Sequence, residues 1–107
     1  MIERDVERHL VRAVEKELGG RCWKWVSPGM AGVPDRIVLL PHGLTYFVEL
    51  KKPGEQPRSL QKIVHKMMGV LDHHVVVLDS IEAVDGFVRE AAVEIRRKER
   101  EQIEPEI

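Results

Sequence analysis

Glycine and proline recur so densely between Gly19 and Pro57 that the middle of this chain cannot hold a long helix. Gly19, Gly20, Pro28, Gly29, Gly32, Pro34, Pro41, Gly43, Pro53, Gly54 and Pro57 leave uninterrupted stretches at 21–27, 35–40 and 44–52. Each is of strand length and carries β-branched or aromatic residues. Cys22-Trp23-Lys24-Trp25-Val26 is the first predicted strand and Arg36 to Leu40 the second. Pro41-His42-Gly43 turns the chain into a third from Leu44 to Lys51, so the last two form a hairpin. Ser27 to Pro34, with two prolines and two glycines, is a loop.

On either side of this region the apolar period becomes helical. Val6, Leu10, Val14 and Leu18 recur every four residues over 3–18, joined by Val11 and Ala13, and Gly19-Gly20 stops that helix. Ser59 caps a second helix reaching about Val70, with Leu60, Ile63, Val64, Met67 and Met68 on or near its buried face. Val75-Val76-Val77-Leu78 is continuously apolar, which predicts a strand buried on both faces. Asp79 or Ser80 opens a last helix carrying Ile81, Val84, Phe87, Val88, Ala91 and Ile95. The order α-β-β-β-α-β-α predicts an α/β fold, a central mixed sheet flanked by helices. The 107 residues suffice for one core. One domain is expected over 1–95, with a charged C-terminal tail, 96–107, that frays.

Composition removes several function classes. A single cysteine, Cys22, excludes an intramolecular disulfide framework and any multi-cysteine zinc site, and it is expected as a small buried hydrophobe. No apolar run approaches the roughly 18 residues that span a bilayer. The chain starts Met1-Ile2-Glu3-Arg4-Asp5, without the apolar core of a secretory signal, so a cytoplasmic location and no membrane partner are expected. His73-His74 reads as a turn and strand start, not a zinc site. The net charge of −1 conceals an asymmetry. Between Arg21 and Val70 eight basic residues face three acidic ones, a local excess of +5 able to hold a polyanion.

The strand Phe47-Val48-Glu49-Leu50-Lys51 carries the chemistry. Alternation puts Phe47, Glu49 and Lys51 on one face and Val48 and Leu50 on the other. Asp35 opens the neighbouring strand directly after the loop stiffened by Pro34. A hairpin therefore brings Asp35 and Glu49 together near one end of the sheet. Two carboxylates there are hard oxygen ligands suited to Mg²⁺ or Mn²⁺. The Lys51 ammonium beside them fits phosphodiester hydrolysis, orienting water or neutralising charge that grows on the phosphorus. Spacing alone leaves open an exposed strand edge with alternating charge.

Gly32-Val33-Pro34-Asp35-Arg36, with thirteen residues separating Asp35 from Glu49-Leu50-Lys51, resembles the PD-(D/E)xK nuclease signature. Together with Lys24-Trp25-Val26-Ser27-Pro28-Gly29 and Phe47-Val48, it resembles the virus-type replication-repair nuclease domain, VRR-NUC, in its stand-alone phage and bacterial form. The likeness extends to about Val88. It implies a restriction-endonuclease-like fold in which Asp35 and Glu49 ligate Mg²⁺ or Mn²⁺, Leu50 adds its backbone carbonyl, and Lys51 is the catalytic lysine. It also implies a glutamate on the first helix near the metal. Glu7, which with Arg8 resembles the equivalent position of archaeal Holliday-junction resolvases, is preferred, with Glu3 as the alternative. Gln61 in Ser59-Leu60-Gln61-Lys62 matches a family glutamine whose amide can hydrogen-bond the attacking water or a phosphate oxygen.

Around these residues Lys24, Ser27, Arg36, Lys52, Arg58, Lys62 and Lys66 form the expected DNA-contacting set, which positions a duplex without reading its sequence. Trp23 and Trp25 are expected to pack in a core or interface, and His65 has a modest claim to the substrate side. The expected activity is metal-dependent DNA endonuclease. Resemblance favours a homodimer acting on branched DNA, a four-way (Holliday) junction above all, inside a bacterial or phage-infected host cytoplasm. The alternatives are a less selective phage nuclease that nicks or cuts flaps, and a catalytically silent DNA-binding module. Apolar residues left on the first or last helix are expected to form the dimer surface.

Overall fold

The computed structural model describes residues 3–103. Its elements are α1 (Glu3–Glu17), β1 (Arg21–Lys24), β2 (Arg36–Leu39), a single 3-10 turn at Pro41–Gly43, β3 (Thr45–Leu50), α2 (Ser59–Val70), β4 (His74–Leu78) and α3 (Ile81–Ile103). The strands lie in the order β1-β2-β3-β4, antiparallel except for the parallel pair β3–β4. This is the expected α/β arrangement. α2 forms the crossover that a parallel pair requires.

Register fixes which side chains share a face. Cys22 pairs with Val38 and Val38 with Tyr46, while Arg36 pairs with Val48 and Val48 with Val76. Along β3, Val48 and Leu50 therefore point to one side, and they are buried there with Val38 and Leu78. α1 and α3 cover that side. Val6, Leu10, Ala13 and Val14 of α1 meet Val84, Phe87, Val88, Ala91 and Ile95 of α3 in one cluster. Burying these stripes is the principal stabilising term of the fold. His9 Nε2 and Asp85 Oδ1, 2.7 Å apart, tie α1 to α3. Cys22 belongs to the same core, and burial pushes its thiol up to about 11, so it is inert.

The opposite face, with Phe47 and Glu49, is only partly roofed by α2. Gly32 explains how the loop before β2 tucks beneath that helix. Its φ is +89°, and an added Cβ would stand 3.0 Å from Val64 Cγ2 and 3.1 Å from Leu60 Cγ. Pro34, completely buried, fixes the chain just before Asp35.

Several expectations need correction. β4 is an edge among the described strands, and it is not buried on both faces, since Val77, on the face that α2 only partly roofs, is 41% exposed. Trp23 is exposed for a similar reason, because β1 forms the other edge and α2 packs near β4. Trp25 does pack, with its ring 5.4 Å from that of Phe47. Ser59 is not the cap of α2. Arg58 occupies that position, and the backbone N–H of Arg58 donates to Gln61 Oε1 at 2.8 Å. The tail expected to fray from residue 96 is helical to Ile103, held by Arg97–Glu94 at 2.9 Å, Lys98–Glu101 at 3.8 Å and His42–Glu99 at 3.4 Å. Residues 104–107 of that tail lie outside the described residues. No described helix is long and apolar enough to cross a membrane.

Ser80 caps α3 as expected, accepting from Ala83 N–H at 3.0 Å. Ser80→Ala leaves that donor without its partner. The expected cost is about 1 kcal/mol of unfolding free energy, read by urea denaturation.

Candidate active site

β3 places Glu49 and Lys51 on the α2 side of the sheet, and both are buried, at 1% and 7% exposure. A carboxylate and an ammonium so far from water require partners. They have each other, with Lys51 Nζ 3.1 Å from Glu49 Oε2, and they share Gln61. From the first turn of α2 the Gln61 amide donates from Nε2 to Glu49 Oε2 at 2.9 Å and accepts from Lys51 Nζ at Oε1, also at 2.9 Å. The same Oε1 accepts from Arg58 N–H. One amide thus satisfies the start of α2 and locks the geometry of the acid–lysine pair. The helix therefore cannot shift without moving the pair.

Asp35 closes the group from the position just before β2. Its Oδ2 accepts from Leu50 N–H at 2.8 Å, which fixes the carboxylate against β3. The negative charge of Asp35 adds to desolvation in raising the Glu49 pKa above 4.5, and the Lys51 ammonium opposes both. Glu49 Oε1 is buried and has no hydrogen-bond partner among the described residues, and His65 Nε2 shares that condition. His65 reaches in from α2, its side chain 11% exposed, and Nε2 stands 3.9 Å from Glu49 Oε1. Burial, followed by the field of Lys51, lowers the His65 pKa and favours the neutral ring.

These features fit a hard divalent cation. Two mutually repelling carboxylates and a desolvated, unpartnered carboxylate oxygen form the donor set expected for Mg²⁺ or Mn²⁺. Asp35 and Glu49 are the side chains able to hold it, with the Leu50 carbonyl on the same strand segment. Among the described residues no cluster of three or more His, Cys, Asp or Glu side chains converges.

The structure brings Asp35, Glu49, Lys51 and Gln61 together but leaves the first-helix glutamates out. Glu7 Oε2 accepts from Arg36 Nε at 3.0 Å, and Arg36 Nη1 donates to the Cys22 carbonyl at 2.9 Å. Arg36 shares the face of Val48, on the α1 side, whereas Glu49 points to the other. Glu7 is thus held by Arg36 on the α1 side of the sheet, and Glu3, one turn earlier, does not join the carboxylate pair either. The same bonds occupy Arg36, whose side chain is 13% exposed, so it is a poor free contact for DNA.

Of the other expected DNA contacts, Lys24, Lys52, Arg58, Lys62 and Lys66 are exposed and Ser27 is half-buried. Basic charge extends beyond 21–70 onto α1. Arg4, Arg8, Arg12 and Lys16 stand four residues apart and line a groove with Lys24 and Arg36. Their i, i+4 spacing was the available signal.

Exposed apolar residues lie on the last helix, where Val93 and Ile103 are 49% and 79% exposed, and also on α2. The outward side of α2 and its C-cap carry Ile63, Met67, Val70 and Leu71 at 58, 54, 74 and 70% exposure. The first helix has no such face.

Comparison with known proteins adds an independent line. The chain is 51% identical over 78 residues to "Putative nuclease p44" of Acyrthosiphon pisum secondary endosymbiont phage 1, spanning 73% of this chain and 83% of that protein. A solved structure described as "VRR_NUC domain" superposes with a TM-score of 0.76 at 31% identity, covering 81% of this chain and 94% of that one. No family model matches.

Proposed function

The chain belongs to the VRR-NUC family, and from that premise we propose that it is a divalent-metal-dependent endonuclease that hydrolyses DNA phosphodiester bonds. The observation that carries this reading is the buried Asp35–Glu49–Lys51–Gln61 cluster at one end of the sheet. Asp35, Glu49 and the Leu50 carbonyl would hold Mg²⁺ or Mn²⁺. When bound, such a cation would supply Lewis acidity at the phosphate and lower the pKa of water. Lys51, held by Glu49 and Gln61, offers N–H donors to the charge that grows on the phosphoryl oxygens. Gln61 keeps that ammonium aimed, and Asp35 keeps the end of β3 in register with β2. Glu7 acts from the α1 side by holding Arg36.

The substrate backbone is contacted by Lys24, Lys52, Arg58, Lys62 and Lys66, with the stripe of α1 adding charge. Such contacts orient DNA and leave selectivity to its shape. The nuclease domain takes in residues 1–95. We assign branched DNA, a four-way junction above all, as substrate and a homodimer as the working form. The exposed apolar side of α2 supports self-association, since a monomer seldom leaves such residues grouped in water. Two copies related by a two-fold axis make two symmetric cuts. The phage relative supports action in a host cytoplasm.

The test is a labelled four-way junction, a flap and a linear duplex, each with Mg²⁺, Mn²⁺ or EDTA, beside light scattering for oligomeric state. Paired symmetric cuts in the junction by a dimer are expected. Cutting of every substrate would keep the metal site and discard junction selectivity. Binding without any metal-dependent cutting would make the protein a DNA-binding module.

A further inference from the structure

Glu49 Oε1 and His65 Nε2 are the two buried side-chain polar atoms that have no hydrogen-bond partner among the described residues, and they face one another at 3.9 Å. Each orphan is costly alone, because a buried polar atom forfeits its water without recompense. A pair of orphans on adjacent elements is a different matter. Movement of about 1 Å brings them within hydrogen-bond range. The rest of the carboxylate is already committed, with Oε2 held by Lys51 and Gln61. His65 is also one turn along α2 from Gln61, so both side chains descend from the same helix face onto the same carboxylate.

We propose that His65 is a positioning residue of the metal site, donating from Nε2–H to Glu49 Oε1. This rests on the reading of Asp35 and Glu49 as metal ligands. Glu49 is then gripped at both oxygens by α2, through Gln61 at Oε2 and His65 at Oε1, and would present a fixed carboxylate to the cation. Ligand carboxylates in metal sites are commonly hydrogen-bonded in this way, and the partners orient the ligand. Mg²⁺ takes oxygen ligands, so the imidazole serves the carboxylate and not the ion. His65 also borders a cleft lined by Glu55, Lys62 and Asp79, from which solvent reaches the far side of the ring.

His65→Gln and His65→Asn separate the role from mere packing. A glutamine amide nitrogen reaches about where Nε2 stands, whereas that of asparagine stops near Nδ1. Mn²⁺ is titrated into each protein, with free ion followed by electron paramagnetic resonance, and single-turnover cutting of DNA is measured at saturating Mn²⁺. His65→Asn is expected to lose about 10–100-fold in Mn²⁺ affinity or cutting rate, and His65→Gln to stay within a few-fold of wild type. Equal behaviour of His65→Asn and wild type overturns the proposal, as does equal impairment of both variants. The ¹⁵N shifts of the His65 ring in the wild type give a second measurement that no folding defect can obscure. A proton on Nε2 supports the proposal and a bare Nε2 overturns it. A wild type that takes up no Mn²⁺ fails at the metal site itself, and the role of His65 falls with it.

Discussion

Asp35→Asn is expected to abolish DNA cleavage while making the metal-free protein more stable than wild type. The two effects have one cause. Asp35 and Glu49 hold two negative charges against the single ammonium of Lys51, and Glu49 is buried. The asparagine amide oxygen can still accept from Leu50 N–H, so the join between β2 and β3 survives. Removal of the charge relieves Glu49, for an expected gain of about 1 kcal/mol in urea unfolding. On the proposed reading the same change would also remove a cation ligand. The loss of transition-state charge stabilisation amounts to several kcal/mol, or roughly 10³-fold or more in rate. A variant that cuts DNA normally would remove Asp35 from the site. One that is inactive and also less stable would mean that the Leu50 bond, not charge, dominates its role in folding.

The sign of the pH dependence follows from the same pair. Glu49 has its folded pKa raised above 4.5 by burial and by Asp35. Below 4.5 the residue is protonated in both states and imposes no penalty. As pH rises through 4.5 toward the raised folded value, the unfolded chain releases its proton first, and Glu49 withdraws stability. Metal-free wild type should therefore lose stability across that window, and Asp35→Asn should lose less. A cation held by Asp35 and Glu49, as proposed, would offset the penalty by binding only the folded form, worth about 2.7 kcal/mol at a hundred times its dissociation constant. Thermal unfolding with and without Mn²⁺ checks both. The wild type should gain, and Asp35→Asn should not.

Part of this site was legible because strands have a strict period of two. Glu49 and Lys51 had to share a face, and a short turn at Pro41–Gly43 had to bring Asp35 alongside. Glu7 has a partner of its own for a matching reason. Helical spacing tells which residues of α1 share a stripe, but not which side of the sheet receives it. The partner that captures Glu7 is Arg36, whose strand parity turns it away from Glu49. The capping position of α2 was missed by one residue, because a serine before an apolar run looks like a cap, and the interaction that sets the boundary comes from Gln61 three residues on. The last turns of α3 have little to bury, and apolar periodicity ends at Ile95. Ion pairs on the helix surface, with His42 across from Glu99, carry it further. The relation of His65 to Glu49 depends on the depth at which α2 crosses the sheet, which no local pattern encodes.

Gln61→Ala is expected to damage folding and cutting together, and Gln61→Glu to separate them. Alanine deletes the acceptor shared by Arg58 N–H and Lys51 and the donor to Glu49. A buried ammonium and carboxylate then keep each other, with Glu55 Oε1 4.0 Å from Lys51 Nζ, but lose the hydrogen bonds of the amide, at a cost of about 1–3 kcal/mol in unfolding free energy. Lys51 also gains rotamers, and misplacement of a reacting group by about 1 Å costs on the order of 10²-fold in rate. Glutamate preserves both acceptor functions, so α2 still starts at Arg58 and Lys51 still has its second partner. It loses the donation to Glu49, however, and sets a third carboxylate against that residue where a 2.9 Å hydrogen bond had been. Without metal, Gln61→Glu should unfold at lower denaturant than wild type and recover as pH falls, since protonation restores a donor between the two acids. With Mn²⁺ the added charge should tighten ion binding while leaving cleavage slow, because Lys51 is then drawn toward a second anion and away from the phosphate. Measured affinity and single-turnover rate that move in opposite directions would identify Gln61 as the residue that aims Lys51. Loss of both together would confine it to holding the start of α2.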